Sequence, residues 1–237
     1  MTIVSIKPIK TGNNKIIEQK IQNTTNTTNN NIEYNTDQYL EEFDLNQTLE
    51  KKPKYPRLEG VTNINIDNCN KTIQKYKDKD IKELTDQEFK EYIAAEAQLA
   101  YIEDGILPSV TIAQAILESE WGDKPIGNNL FGIKKSSDWK GKTIKKKTRE
   151  QDENGNYYTI TAEFKDYDTI SDGVKDHNKL LNKPWNKPVR DACDNNDPYE
   201  ACRQLYKCGY ATSHTYSDEL IDIINDYNLT QYDPKYE

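Results

Sequence analysis

The stretch that decides the fold is residues 115–134, AILESEWGDKPIGNNLFGIK. It continues a helical pattern that starts near Pro108, a residue suited to the first turn of a helix, and Gly122 is the expected end of that helix. Apolar residues recur at i, i+3, i+4 and i+8, which predicts a face turned towards a hydrophobic core: Ala113, Ile116, Leu117 and Trp121.

Glu118 lies on the same predicted helix, between the core-facing Leu117 and the aromatic Trp121. Burial of a carboxyl raises its pKa, and a general acid that works near neutral pH needs such a raised pKa. The position alone is equally consistent with an ordinary solvated glutamate, which is how we interpret the neighbouring Glu120.

A loop rich in glycine and asparagine follows the helix and strengthens the functional interpretation. Its glycines allow the chain to approach a ligand closely, and its amides can bind hydroxyl and N-acetyl groups, so we expect Asn128, Asn129 and Gly132 to contact substrate. Further along, Asn154-Gly155 predicts a β-hairpin that carries a second group of carboxylates: Glu150, Asp152 and Glu153. Two carboxyl groups across a cleft are the arrangement that glycoside hydrolysis requires.

The remaining helix signals surround this hairpin. Thr85 to Glu88 forms a capping box, and Gly105 is the expected stop of the helix that it starts. Three further helical patterns follow the hairpin, at 171–181, 197–207 and 216–227. The predicted fold class is therefore α+β: a mainly helical domain over residues 85–237 with one β-hairpin lobe.

Residues 1–84 differ in composition from this domain. They include the polar tract QNTTNTTNNNIEYNTDQ (22–38), which has no apolar period of 2 or 3.6 and cannot bury a core. VTNINI (61–66) alternates like a strand. We interpret residues 1–84 as an extended Asn/Thr-rich arm, either a linker or an anchoring segment.

Composition excludes several classes of protein. The net charge of -8 argues against a nucleic-acid-binding protein, and no apolar run is long enough to span a membrane. The four cysteines and two histidines are not spaced as zinc ligands, so no metal and no cofactor is predicted. Cys193, Cys202 and Cys208 could supply one disulfide, but we interpret the cysteines as buried thiols, and His177 as a packing or capping histidine.

Four motifs in order resemble glycoside hydrolase family 73, the peptidoglycan-cleaving endo-β-N-acetylglucosaminidases with a lysozyme-like fold. They are AQAILESEWG (113–122), NNLFGIK (128–134), TREQDENGNYYTITAEFKDYDTISDGVKDH (148–177) and GYATSHTYSDELIDIINDYNL (209–229). The resemblance covers about residues 86–232. It implies hydrolysis of the bond from N-acetylglucosamine to N-acetylmuramic acid, with bacterial peptidoglycan as the partner.

The resemblance also implies roles for individual residues. Glu118 matches the general acid, and Glu150 matches the second carboxylate, with Asp152 and Glu153 as competitors for that role. Tyr210 matches a tyrosine close to the reacting sugar, whereas Trp121 and Phe131 match aromatic residues that shape the groove. The sequence departs from the family at Ser213-His214, which replaces the usual Asp-Pro, and at Glu120, which replaces a small residue.

Three mechanisms remain open: water activated by Glu150, cation stabilisation by Glu150, or attack by the 2-acetamido group of the substrate. Two other functions also remain open, a muramidase or lytic transglycosylase of the same fold and a structural, wall-contacting virion component. The resemblance implies action at the cell wall outside the cell, whereas the start of the chain has no signal-like apolar segment. We therefore hypothesise a phage virion or tail lysin whose residues 1–84 bind other virion proteins, with a secreted bacterial autolysin as the rival interpretation.

Overall fold

The computed structural model describes residues 56–151, 157–211 and 213–237. Seven α-helices and one two-stranded sheet form its regular structure, in the order α1 Ile66–Tyr76, α2 Asp86–Asp104, α3 Pro108–Ser119, β1 Thr143–Gln151, β2 Tyr157–Lys165, α4 Ile170–Leu181, α5 Lys187–Asp194, α6 Pro198–Lys207 and α7 Tyr216–Asp226. Short 3₁₀ turns lie at Pro56–Leu58, Ile81–Glu83, Pro184–Asn186 and Leu229–Tyr232. The α+β class with a mainly helical body is confirmed.

Helix α3 is the centre of the core. Its residues from Pro108 to Ile116 are buried without interruption, including the polar Ser109, Thr111 and Gln114. Helices α2, α6 and α7 and the last 3₁₀ turn contact it from different sides. A helix enclosed in this way must find hydrogen-bond partners for its polar side chains within the protein, and this requirement shapes the site described below.

Short sequence motifs correctly predicted both ends of α2 and the start of α3. The Thr85 hydroxyl accepts from the Glu88 backbone and the Glu88 carboxylate accepts from the Thr85 backbone, as the capping box predicts. Gly105 ends α2 in the left-handed region at φ 76°, and Pro108 opens α3. Because α3 ends at Ser119, Trp121 is not on the helix, and the prediction of a helix reaching Gly122 is wrong by one turn.

The hairpin strands pair antiparallel, with Thr143 opposite Lys165 and Gln151 opposite Tyr157. The predicted Asn154-Gly155 turn lies outside the described residues. Strand β2 is also hydrogen-bonded to the loop after α3. The Lys165 N–H donates to the Ile133 carbonyl, and the Lys135 N–H donates to the Glu163 carbonyl, so the base of the hairpin is joined to this loop.

The predicted domain boundary at residue 84 is corrected for the described part of the chain, which begins at Pro56. Helix α1 is amphipathic, and Tyr76 at its end is fully buried in the core together with Ile81 and Leu84. Residues 61–66 contribute only one bridge, from Val61 to Tyr236, before Asn65 caps α1. The apolar residues of α1 recur at the helical spacing i, i+3, i+7 and i+10, but the strand-like alternation of residues 61–66 led to a different prediction for the start of this segment.

Candidate active site

Glu118 lies in the last turn of α3, immediately before a tight reversal of the chain. Glu120 and Trp121 adopt left-handed φ values of 50° and 59°, and Gly122 follows at 85°. The Ser119 hydroxyl accepts from the Gly122 backbone at 2.9 Å and donates to the Ala115 carbonyl at 2.6 Å. Left-handed non-glycine residues cost about 1 kcal/mol each, so this turn is held by its surroundings, and it fixes where Glu118 leaves the helix.

The Glu118 carboxyl has one hydrogen-bond partner in the described part of the chain. The Tyr216 hydroxyl, on the first turn of α7, donates to Glu118 Oε1 at 3.1 Å. Burial raises the pKa of Glu118 to about 8; the Tyr216 hydrogen bond lowers the pKa, and the nearby Glu219 raises it. Part of the side chain is still accessible to solvent, so a substrate can reach it. Glu118 is therefore a carboxylic acid that keeps its proton near neutral pH.

Tyr210 and Tyr216 form the wall beside this acid. Their rings stack with centroids 6.0 Å apart, and both are buried. Burial and the Glu118 charge raise the pKa of each phenol well above its ordinary value, so both hydroxyls stay protonated. The predicted role of Tyr210 close to the reacting sugar stays a prediction, to which the structure adds its stacking on Tyr216. Tyr216 was not predicted as a site residue, although it stands in the same quoted motif, six residues further on.

Gln114 and His177 continue the site into the core. Gln114 Nε2 donates to the Tyr216 hydroxyl at 2.9 Å, and Gln114 Oε1 lies 3.0 Å from His177 Nε2. Burial lowers the pKa of His177 to about 4, which keeps the ring neutral. Gln114 was not predicted as a site residue; its position one helical turn before Glu118 on α3 is the sequence signal that could have identified it.

The predicted aromatic groove residues pack inside the protein. The Phe131 ring is buried and stacks on His177 at a centroid distance of 3.9 Å. Trp121 lies between Phe89 and Tyr227, with centroid distances of 6.0 and 4.6 Å. Phe131 therefore packs against His177 on the core side of the site. A groove contact for Trp121 and Phe131 stays a prediction, to which the structure adds these packing roles.

The side chains of the two asparagines predicted to contact substrate donate hydrogen bonds to backbone carbonyls. Asn129 is buried, donates to the carbonyls of Ile133 and Lys165 at 2.9 Å each, and accepts from the Ile133 N–H at 3.0 Å. Asn128 donates to the carbonyls of Tyr167 and Asp168. Gly132 adopts φ 61° in the same loop. These residues join the loop to the hairpin, and their contact with substrate stays a prediction.

The second carboxylate cannot be assigned from side-chain contacts. In the backbone ladder Glu150 stands opposite Tyr158, near the end of β1. Asp152 and Glu153 lie outside the described residues. The roles of all three stay predictions.

The rest of the described chain adds two findings on chemistry. All four cysteines are free, as the sequence interpretation expected. Within residues 56–151, 157–211 and 213–237, no group of three histidine, cysteine or acidic side chains is arranged to hold a metal ion. In the same ranges, every helix is too short or too polar to cross a bilayer.

Comparison with known proteins matches this architecture to one family. The family model described as mannosyl-glycoprotein endo-beta-N-acetylglucosaminidase matches residues 94–229, more than half of the chain. The chain is 38% identical over 165 residues to exo-glucosaminidase LytG of Bacillus subtilis, covering 65% of this chain and 56% of LytG. It is 36% identical over 155 residues to a probable N-acetylmuramidase of Lactococcus lactis, covering 61% of this chain and 34% of the relative.

Solved structures agree. The catalytic domain of the autolysin Auto from Listeria monocytogenes superposes with a TM-score of 0.54 at 34% identity, over 62% of this chain and 87% of that domain. A peptidoglycan hydrolase mutant from Sphingomonas sp. A1 gives a TM-score of 0.55 at 31% identity, over 62% of this chain and 97% of that one. The chain spans about half or less of the curated relatives' length, but its matched region contains Glu118, Tyr210 and Tyr216. The chain belongs to the glucosaminidase family of glycoside hydrolases.

Proposed function

We propose that this protein hydrolyses the β-1,4 bond between N-acetylglucosamine and N-acetylmuramic acid in bacterial peptidoglycan. The observation that carries the proposal is the half-buried Glu118 carboxyl at the end of α3, to which the Tyr216 hydroxyl donates at 3.1 Å. Burial raises the pKa of this carboxyl to about 8, as a general acid near neutral pH requires. The family membership and the relatives named as glucosaminidase, autolysin and peptidoglycan hydrolase support the substrate class.

In this reaction Glu118 gives its proton to the glycosidic oxygen as the bond to the sugar breaks. Positive charge develops on the ring of the N-acetylglucosamine, and either a second carboxylate or the 2-acetamido group stabilises it. Water then adds to the anomeric carbon and returns a proton to the site. Tyr210 and Tyr216 remain neutral throughout, so they contribute hydrogen bonds and shape rather than charge.

Whether a second carboxylate or the acetamido group of the substrate stabilises the positive charge depends on the carboxylates predicted on the hairpin. Glu150 is the candidate for the second carboxylate, with Asp152 and Glu153 as alternatives. Activity retained in each of the variants Glu150→Gln, Asp152→Asn and Glu153→Gln would favour substrate assistance by the acetamido group. Loss of activity in Glu150→Gln, with Asp152→Asn and Glu153→Gln still active, would assign the role to Glu150.

A second candidate function is cleavage on the other side of the muramic acid. The relative from Lactococcus lactis named as a probable N-acetylmuramidase favours this alternative. The two activities differ in the sugar left at the new reducing end, which makes them directly distinguishable.

The test is digestion of purified peptidoglycan by wild-type and Glu118→Gln protein, followed by borohydride reduction and mass spectrometry. Reduced N-acetylglucosamine ends that disappear in the variant would support the proposal. Reduced muramic acid ends would identify a muramidase, and anhydro ends a transglycosylase. Product length separates two modes, because an exo enzyme releases small products from the start, whereas an endo enzyme first shortens long strands.

We further propose that the protein acts outside the cell at the wall, carried by a phage particle to which the Asn/Thr-rich part of residues 1–55 binds. The polar tract at 22–38 supports an attachment role, since it has no apolar surface with which to form a core. Comparing incorporation of the full chain and residues 56–237 into particles tests this idea. Equal incorporation would refute the anchor.

A further inference from the structure

A continuous line of hydrogen bonds runs from Glu118 into the core. Glu118 Oε1 accepts from Tyr216 at 3.1 Å, the Tyr216 oxygen accepts from Gln114 Nε2 at 2.9 Å, and Gln114 Oε1 lies 3.0 Å from His177 Nε2. Gln114, Tyr216 and His177 are buried, so water does not replace any of these bonds. Each member therefore constrains the proton position of the next.

The direction of the line is set at Gln114. Its amide nitrogen donates to the Tyr216 hydroxyl at 2.9 Å, and its amide oxygen lies 3.0 Å from His177 Nε2. The nitrogen is therefore turned towards the phenol and the oxygen towards His177. An amide oxygen only accepts, so His177 Nε2 must carry a hydrogen.

His177 has only one hydrogen to give. Burial lowers its pKa to about 4, with a hydrogen bond to Asn178 and the charge of Asp176 acting in the opposite direction. A neutral ring with hydrogen on Nε2 has an acceptor at Nδ1. Asn178 Oδ1 lies 3.0 Å from that atom and 3.2 Å from the Thr111 hydroxyl, whereas Asn178 Nδ2 is buried without a partner. Turning this amide by half a turn directs Nδ2 to His177 Nδ1 and to the Thr111 oxygen, so that both hydrogens of Nδ2 face an acceptor.

We propose that His177, as the neutral Nε2–H form, is a positioning residue for the acid. His177 holds the Gln114 amide in one orientation, in which its nitrogen donates to the Tyr216 oxygen. The Tyr216 hydroxyl then donates its own hydrogen to Glu118 Oε1, so the transferable proton of Glu118 resides on Oε2. The inference rests on the proposed function only in calling Glu118 the acid. The hydrogen-bond order itself is a property of the free protein.

The groups that face the two ends of the line are limited. In the described part of the chain, Glu118 is faced by Tyr216 and Glu219 of α7 and by Tyr210. His177 is faced by Gln114 of α3, the Phe131 ring, Tyr210 and its own neighbours Asp176 and Asn178. Besides Glu118 itself, the acidic side chains among these groups are Glu219 and Asp176.

The first test is ¹⁵N NMR of the histidine rings. The chain has only two histidines, and a His214→Gln variant assigns the signals, because His214 hydrogen-bonds Tyr206 at a separate place. We expect His177 to show a protonated Nε2 and an unprotonated Nδ1 from pH 5 to pH 8. Hydrogen on Nδ1, or a ring that becomes cationic in this range, would overturn the proposal whether or not the protein cleaves peptidoglycan.

The second test measures the pH dependence of peptidoglycan cleavage in matched variants. His177→Phe keeps a ring against Phe131 but removes the donor, which frees Gln114 and releases the Tyr216 hydrogen. We expect the cleavage rate to fall about tenfold. We also expect the alkaline limb of the pH–rate profile to move to higher pH, because the Tyr216 hydrogen bond that is lost lowers the pKa of Glu118. Tyr216→Phe should shift the limb in the same direction.

His177→Gln is the discriminating variant, because its amide nitrogen can take the place of Nε2–H. We expect its alkaline limb to stay at the wild-type position. A folded His177→Phe protein whose limb does not move would show that His177 only fills space. If His177→Phe does not fold, a shifted limb in His177→Gln refutes the proposal, and an inactive wild-type protein refutes the proposed function alone.

Discussion

The buried acid makes a prediction about stability that is independent of substrate. In the folded protein the pKa of Glu118 is about 8, against an ordinary value of 4.5 that the unfolded chain would show. Because the folded pKa is raised, Glu118 contributes its full stability below pH 4.5, and that contribution is lost as pH rises towards 8. Replacement by glutamine, which resembles the protonated acid and can accept from Tyr216, removes this loss.

The size of the effect follows from the interval between pH 4.5 and pH 7. At about 1.4 kcal/mol per pH unit, ionisation of Glu118 in the unfolded chain alone costs the folded protein about 3 kcal/mol at pH 7. Since part of the side chain is open to solvent, some of this cost is relieved. We therefore expect Glu118→Gln to be more stable than wild type by about 1 to 3 kcal/mol at pH 7 and by about zero at pH 4.

The assay is urea unfolding followed by tryptophan fluorescence at pH 4, 5, 6, 7 and 8, with linear extrapolation to water. Glu120→Gln is the matched control, since Glu120 is two residues away and pairs with Lys124 at the surface, 2.6 Å apart. Its stability should change by at most about 0.5 kcal/mol. A stability difference for Glu118→Gln that is negative at pH 7, or equal at pH 4 and pH 7, would refute the reasoning.

Three further predictions concern the support of the site. Asp233 accepts from the Ser109 N–H and hydroxyl at 2.7 and 2.6 Å, so Asp233→Ala leaves both groups buried without a partner and should cost about 2 to 3 kcal/mol in urea unfolding at pH 7. Gly122→Ala places a Cβ 2.9 Å from the Phe89 ring at φ 85°; we expect a loss of about 1 to 3 kcal/mol and reduced cleavage, and an unchanged melting curve would contradict this. Asn129→Ala removes three hydrogen bonds and should speed hydrogen exchange at the hairpin base and cost about 2 to 4 kcal/mol; lost activity at unchanged stability would instead support the substrate contact predicted from sequence.

The sequence determined the local structure wherever short-range chemistry was decisive. The capping box at Thr85, the stop at Gly105 and the start at Pro108 depend on neighbours within one turn, and all three were confirmed. Glu118 was predicted as the acid from its position between core residues and a glycine-rich loop together with the family motif; the structure places it in the last turn of α3, and its role stays a prediction. Helix α1 was missed, since its stability comes from packing against α2 rather than from its own composition.

Only the tertiary structure decided what the polar residues near Glu118 do. The side-chain amides of Asn128 and Asn129 could bind a substrate, but three of the four carbonyls to which they donate are 36 to 40 residues away in the chain. The line from Tyr216 through Gln114 to His177 joins α7, α3 and α4, which are 63 to 102 residues apart in the chain. A buried polar group takes whichever partner the packed core brings within hydrogen-bond distance, and no spacing within one segment contains that information.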